Sequence, residues 1–140
     1  MSVWQVTPPA APRRLFRWLL IAQGLYYLVT GVWPMFSRRS FEAVTGPKGD
    51  FWLVKTTGLL ISVVGGALLM AGTRRRLNPE TVLVGAGAAA SLATIDVLYT
   101  ARRRIPRIYL LDGLAQAVFL GGWVAGTLLL RQRSRSPWLK

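Results

Sequence analysis

Four runs of apolar residues, each bracketed by arginines, organise this chain: Leu15–Phe36, Phe51–Ala71, Thr81–Ala101 and Ile108–Leu130. At about 1.5 Å of helix rise per residue, each run covers the roughly 30 Å hydrocarbon core of a bilayer. Nothing between them is long enough for a soluble domain. The pattern predicts an all-α integral membrane bundle of four transmembrane helices over residues 15–130. An N-terminal arm (1–14) precedes it and a basic tail (131–140) follows.

The links carry their own signals. Asn78-Pro79 restarts the third span, and Pro106 is expected in the first turn of the fourth. In the longer Ser37–Asp50 link, Phe41-Glu42-Ala43-Val44 predicts one interfacial helical turn, ended by Thr45-Gly46-Pro47. Aromatic residues gather near the span ends, Trp52 and Tyr99 among them, as an interfacial belt. Lipid supplies no hydrophobic drive for helix association, so small residues that admit close backbone approach mark the packed faces. Gly58, Ser62 and Gly66 form such a stripe in the second span, and Gly113, Ala117 and Gly121 in the fourth. Gly122 and Gly126 lie beside the latter.

Charge sharpens the picture. The net charge of +13 is carried by 15 arginines and 3 lysines against 5 acids. On a soluble domain this would suggest nucleic acid, but here the cations cluster at helix ends. Such juxtamembrane cations attract anionic lipid head groups by about 1 kcal/mol each. Membrane lipids are therefore the expected partners, with no nucleic acid. Arg13-Arg14-Leu15-Phe16-Arg17 partly resembles a twin-arginine export signal, but the apolar run is long for one and no Ala-x-Ala site follows. An uncleaved first span is expected. Ten cations lie on the side of the termini (Arg131, Arg133, Arg135 and Lys140 among them) and seven on the other. That bias favours cytoplasmic termini. The abundance of arginine, alanine and glycine fits a bacterial cytoplasmic membrane. With no cysteine and no histidine, disulfide, thiol-redox, structural-zinc and usual haem chemistry are excluded. No cofactor, metal site or catalytic residue is expected.

Charges inside spans are the best functional pointers in a membrane protein. Counting along the helices places Lys55, Asp96 and Asp112 at similar depth beneath one membrane face. A Lys55–Asp96 ion pair is expected, since pairing lowers the cost of burying both charges. Asp112 and Gln116 share a helix face one turn apart. With Gln23, Tyr99 and Trp52 these residues are candidates for a small polar pocket. An ion pair that only fixes helix register would leave the same trace.

Residues Phe41 to Gly58, with Asp96-Val97-Leu98-Tyr99 and Ile108-Tyr109-Leu110-Leu111-Asp112, resemble segments of a family of small bacterial four-span membrane proteins. The resemblance covers about half the chain. It implies a bacterial four-span membrane protein and brings no activity with it. The functional expectation is a non-catalytic bundle, either an accessory or stabilising subunit of a larger membrane complex or a lipid-binding protein. Self-association is compatible with both. The alternatives are a small oligomeric transporter or channel using Lys55, Asp96 and Asp112, and a lipid-modifying enzyme.

Overall fold

Each apolar run becomes a helix, and local signals set several of the boundaries. The computed structural model describes residues 10–134. Five helices follow in order: α1 (Ala10–Phe36), α2 (Arg38–Thr45), α3 (Phe51–Thr73), α4 (Pro79–Ala101) and α5 (Tyr109–Ser134). The fold is all-α, and α1, α3, α4 and α5 are long and apolar enough to cross a membrane. Arg135 and Lys140, and most of the N-terminal arm, lie outside the described residues.

α1 starts at Ala10 rather than Leu15. Pro12 sits in the first turn, where its missing N–H removes no helical bond, and arginine is a good helix former. In α2, two turns long, Ser37 accepts from the Ser40 amide at 3.2 Å and Gly46, at φ 83°, closes the far end. Asn78 caps α4 by accepting from the Thr81 amide at 3.0 Å, with Pro79 in the first helical position. Pro106 lies before α5 rather than in its first turn; its carbonyl accepts from the Tyr109 amide at 3.2 Å. α3 and α4 end alike. The amides of Arg76 and Arg104 reach back to the carbonyls of Ala71 and Tyr99, both at 2.9 Å, while Arg75 and Arg103 turn left-handed at φ 53° and 54°.

α1 is the central element. Its inward positions Phe16, Leu20, Gln23, Tyr27 and Gly31 recur with the helical period. α3 packs along one side of it and α5 along another, and α4 packs on α5. α1 and α3 run antiparallel at backbone contact, with Gly24 opposite Gly65 and Gly31 opposite Gly58. A Cβ on Gly24 would lie 2.7 Å from the Leu69 amide nitrogen, and one on Gly65 would lie 2.7 Å from the Gly24 carbonyl oxygen. Such approach is open only to glycine.

The predicted small-residue stripes need correction. Gly58 and Ser62 lie in the α1–α3 seam, but Gly66 faces open space and Gly65 takes its place. In α5, Gly113 packs near Asp96, whereas Ala117 and Gly121 face outward. The inward face instead carries Gln116, Trp123, Gly122 and Gly126, the glycines meeting Leu19 and Phe16 of α1. Hydrogen bonding decides this face: Gln116 and the Trp123 indole find partners only in the interior.

α3 and α4 meet sparsely, although the short link through Arg74–Arg76 and Asn78 holds one end of each together. Toward the other end the two helices diverge. A cleft opens there, beneath α2.

Candidate functional site

A chain of hydrogen bonds runs through the interior from α1 to α5. The Trp123 indole N–H donates to Gln23 Oε1 at 2.8 Å, and Gln23 Nε2 donates to the Gly85 carbonyl at 2.8 Å and to the Tyr27 hydroxyl at 3.0 Å. Tyr27 donates to Gln116 Oε1 at 2.6 Å, and Gln116 Nε2 to Asp112 Oδ1 at 3.0 Å. Tyr26 also donates to Asp112 Oδ1, at 2.7 Å. Indole nitrogen can only donate and a carbonyl can only accept, so Trp123 and Gly85 fix the orientation of the Gln23 amide. Every later donor then points the same way, and the chain converges on Asp112. It spans roughly 16 Å along α5, from Trp123 to Asp112. Gly85 is required where the indole lies against α4, since any Cβ there would collide with the ring.

Asp96 stands beside this terminus. A Cβ on Gly113 would lie 3.3 Å from the Asp96 Cβ, and Asp112 is the electrostatic neighbour of Asp96. Asp96 is only 4% exposed, held inside by the α4 face that also buries Gly85 and Ala89. Among the described residues its Oδ2 has no hydrogen-bond partner, and neither has Thr100 Oγ1 one turn further on. Asp96 and Asp112 both belong to the lining of the cleft, whose volume is about 790 Å³. Its other walls are mainly apolar: Leu53, Val54 and Ile61 of α3, Leu92 and Ile95 of α4, and Ala115 of α5.

α2 and the link after it form the rim. Phe41 lies between Trp33 and Phe51, with ring centroids 5.6 and 6.3 Å away. Trp33 Nε1 donates to Ser40 Oγ at 2.8 Å, and Arg38 and Glu42 form an ion pair at 3.1 Å. Glu42 also accepts from the Lys48 amide at 3.0 Å, and Arg38 first, then that amide, holds its carboxyl below the usual glutamate range. Lys48 Nζ donates to the Thr45 carbonyl at 2.7 Å and sits 5.1 Å from the Tyr109 ring centre.

Of the residues singled out in the sequence, Gln23, Asp96, Asp112 and Gln116 meet in the interior. Lys55, Trp52 and Tyr99 do not join them. Lys55 is exposed, its ammonium 5.9 Å from the Phe51 ring centre, and among the described residues it forms no ion pair with Asp96 or Asp112. At 100° per residue it occupies the shoulder of α3 away from Val54, Thr57 and Ile61. Trp52 is 68% exposed and Tyr99 39%, on the outer surface. Sequence reasoning missed Tyr26, Tyr27 and Trp123. The signal was available: Gln23 and Tyr27, like Asp112 and Gln116, stand four residues apart on one helix face.

Fold and site together define a helical bundle of integral-membrane type with a largely apolar cleft, acidic at Asp96 and Asp112, between two helix pairs. In comparisons with family models, curated proteins and solved structures, nothing matches the chain.

Proposed function

We propose that this is a non-catalytic integral membrane protein that holds one amphiphilic molecule, drawn from the bilayer, in the cleft between its helix pairs. The observation that carries the reading is the cleft of about 790 Å³, apolar on most walls and polar at Asp96 and Asp112. Its size lies within the range of about 300–1,000 Å³ typical of small-molecule sites, and a few convergent polar groups in an apolar lining are their usual make-up. Its position at the sparse α3–α4 seam supports lateral entry from lipid. The reading takes the membrane to be a bacterial cytoplasmic membrane, with anionic head groups held at the arginine-rich helix ends.

One observation favours the accessory-subunit reading. Ala117, Gly121 and Ala125 leave a smooth outward stripe on α5, the kind of surface on which another membrane helix docks closely.

Native mass spectrometry of the protein, gently extracted from its own membranes, tests both readings. One retained amphiphile per chain is the expected result. Co-purification of a defined set of larger subunits, with an empty cleft, would favour the accessory reading. A lone chain with nothing bound would count against both.

A further inference from the structure

The geometry points to a lipophilic amine as the occupant of the cleft: an apolar chain ending in a protonated nitrogen that donates to Asp96 and Asp112. This inference rests on the binding reading above and names the ligand class.

Four observations support it. Asp96 Oδ2 is an acceptor without a donor, on a side chain 4% exposed that lines the cleft. A buried acceptor left unpaired costs about 1–3 kcal/mol, so the site favours a ligand that brings an N–H. Secondly, the internal chain delivers both of its terminal donors to Asp112 Oδ1, and among the described residues neither of the two neighbouring carboxyl groups has an ion-pair partner. Two carboxyl groups side by side in a membrane interior favour a cationic partner. Thirdly, the aromatic residues Tyr26, Trp33, Phe41 and Tyr109 line the same cleft. Carboxyl groups with aromatic faces are the surroundings an ammonium prefers. Fourthly, Ile61 and Leu92 continue the apolar wall toward mid-membrane, where an alkyl chain would lie.

The other charges near the cleft are at its rim. Lys48 is held by the Thr45 carbonyl and the Tyr109 ring, and Asp50 follows two residues on. An anionic head group could meet Lys48 there, but deeper in it would face two carboxyl groups. A zwitterionic phospholipid fits less well, because its amine lies outside its phosphate, whereas Asp96 and Asp112 lie one to two turns below the helix ends.

The test is calorimetric titration of the purified protein in maltoside detergent with dodecylamine, dodecanol and dodecyl sulfate. The expected result is saturable binding of one dodecylamine, at least tenfold tighter than dodecanol, and at least tenfold weakened in Asp96→Asn. Equal affinity for amine and alcohol, or tighter binding of the sulfate, would overturn the amine assignment and leave the binding reading standing. Absence of saturable binding by all three would overturn both. Displacement of dodecylamine by phosphatidylethanolamine at equal concentration would identify a lipid head group as the source and overturn the assignment to a free amine. Should Asp96→Asn fail to melt as a folded protein, the amine–alcohol difference in the unaltered protein decides the question. Ala115→Trp then locates the site: undiminished amine binding by a folded Ala115→Trp would overturn the proposal.

Discussion

Tyr27 is the hinge of the polar chain, since its hydroxyl both receives from Gln23 and donates to Gln116. Tyr27→Phe keeps the ring but leaves Gln116 Oε1 without its donor in a dry interior. Unsatisfied buried groups cost about 1–3 kcal/mol, while measured side-chain hydrogen bonds in membrane bundles average about 0.6 kcal/mol. We expect Tyr27→Phe to lose about 1–2 kcal/mol in detergent-unfolding equilibria, and Gln116→Leu combined with it to lose little more. Additive losses would show that the two residues do not act as one chain. At this scale much of the site was legible in the sequence. Gln23, Asp96, Asp112 and Gln116 are polar residues in apolar runs, and such residues turn inward. Lys55 was misplaced because depth along a helix says nothing about azimuth: two residues at equal depth face each other only if the helices present those faces. Tyr26, Tyr27 and Trp123 were hidden because an aromatic residue in a span reads as apolar until its polar atom is matched to a partner.

At the scale of the elements, backbone contact between α1 and α3 sets the bundle. A side chain at Gly24 would have to push the two helices apart, whereas Gly66 faces open space. Overpacking of this kind costs about 1–3 kcal/mol or more. Gly24→Leu is expected to destabilise the bundle by at least about 2 kcal/mol and Gly66→Leu by less than about 0.5 kcal/mol, measured by the same unfolding equilibria. The reverse order would contradict the α1–α3 register. Glycine content announced close packing, but the choice between the stripes at Gly65 and Gly66, or Gly122 and Gly121, depends on which neighbours need the interior.

The C-termini of α3 and α4 place arginine where glycine is favoured. A left-handed residue with a Cβ costs about 1–2 kcal/mol. Arg103→Gly should therefore raise the melting temperature; a fall would mean that the lost cation matters more than the backbone. The α2 rim is pH-sensitive. Glu42 has its carboxyl pKa lowered in the folded protein by Arg38 and the Lys48 amide. The stabilisation it gives α2 is complete above the ordinary glutamate value, about 4.3, and is lost as pH falls through the lower folded value. Amide protection factors over residues 38–48, taken relative to intrinsic exchange at each pH, should fall on acidification, and Glu42→Gln should remove that acid step. An unchanged acid step in the variant would assign it to another group.

For the whole molecule, the feature that matters is the cleft where α3 and α4 diverge. Four spans and their link lengths were readable from hydropathy and capping residues. The cleft was not, because it arises from which helix pairs fail to meet. It follows from α1 lying between α3 and α5, with α4 joined to the bundle chiefly through α5. Two alanines on α5 distinguish ligand holding from partner docking: Ala115 lines the cleft, and Ala117 faces outward. The most direct measurement is native mass spectrometry of the unaltered protein, Ala115→Trp and Ala117→Trp, each extracted from its own membranes and shown to melt as a folded protein. One retained amphiphile per chain is expected in the unaltered protein and in Ala117→Trp, and none in Ala115→Trp. Equal retention by all three, or by none, would contradict ligand holding in the cleft.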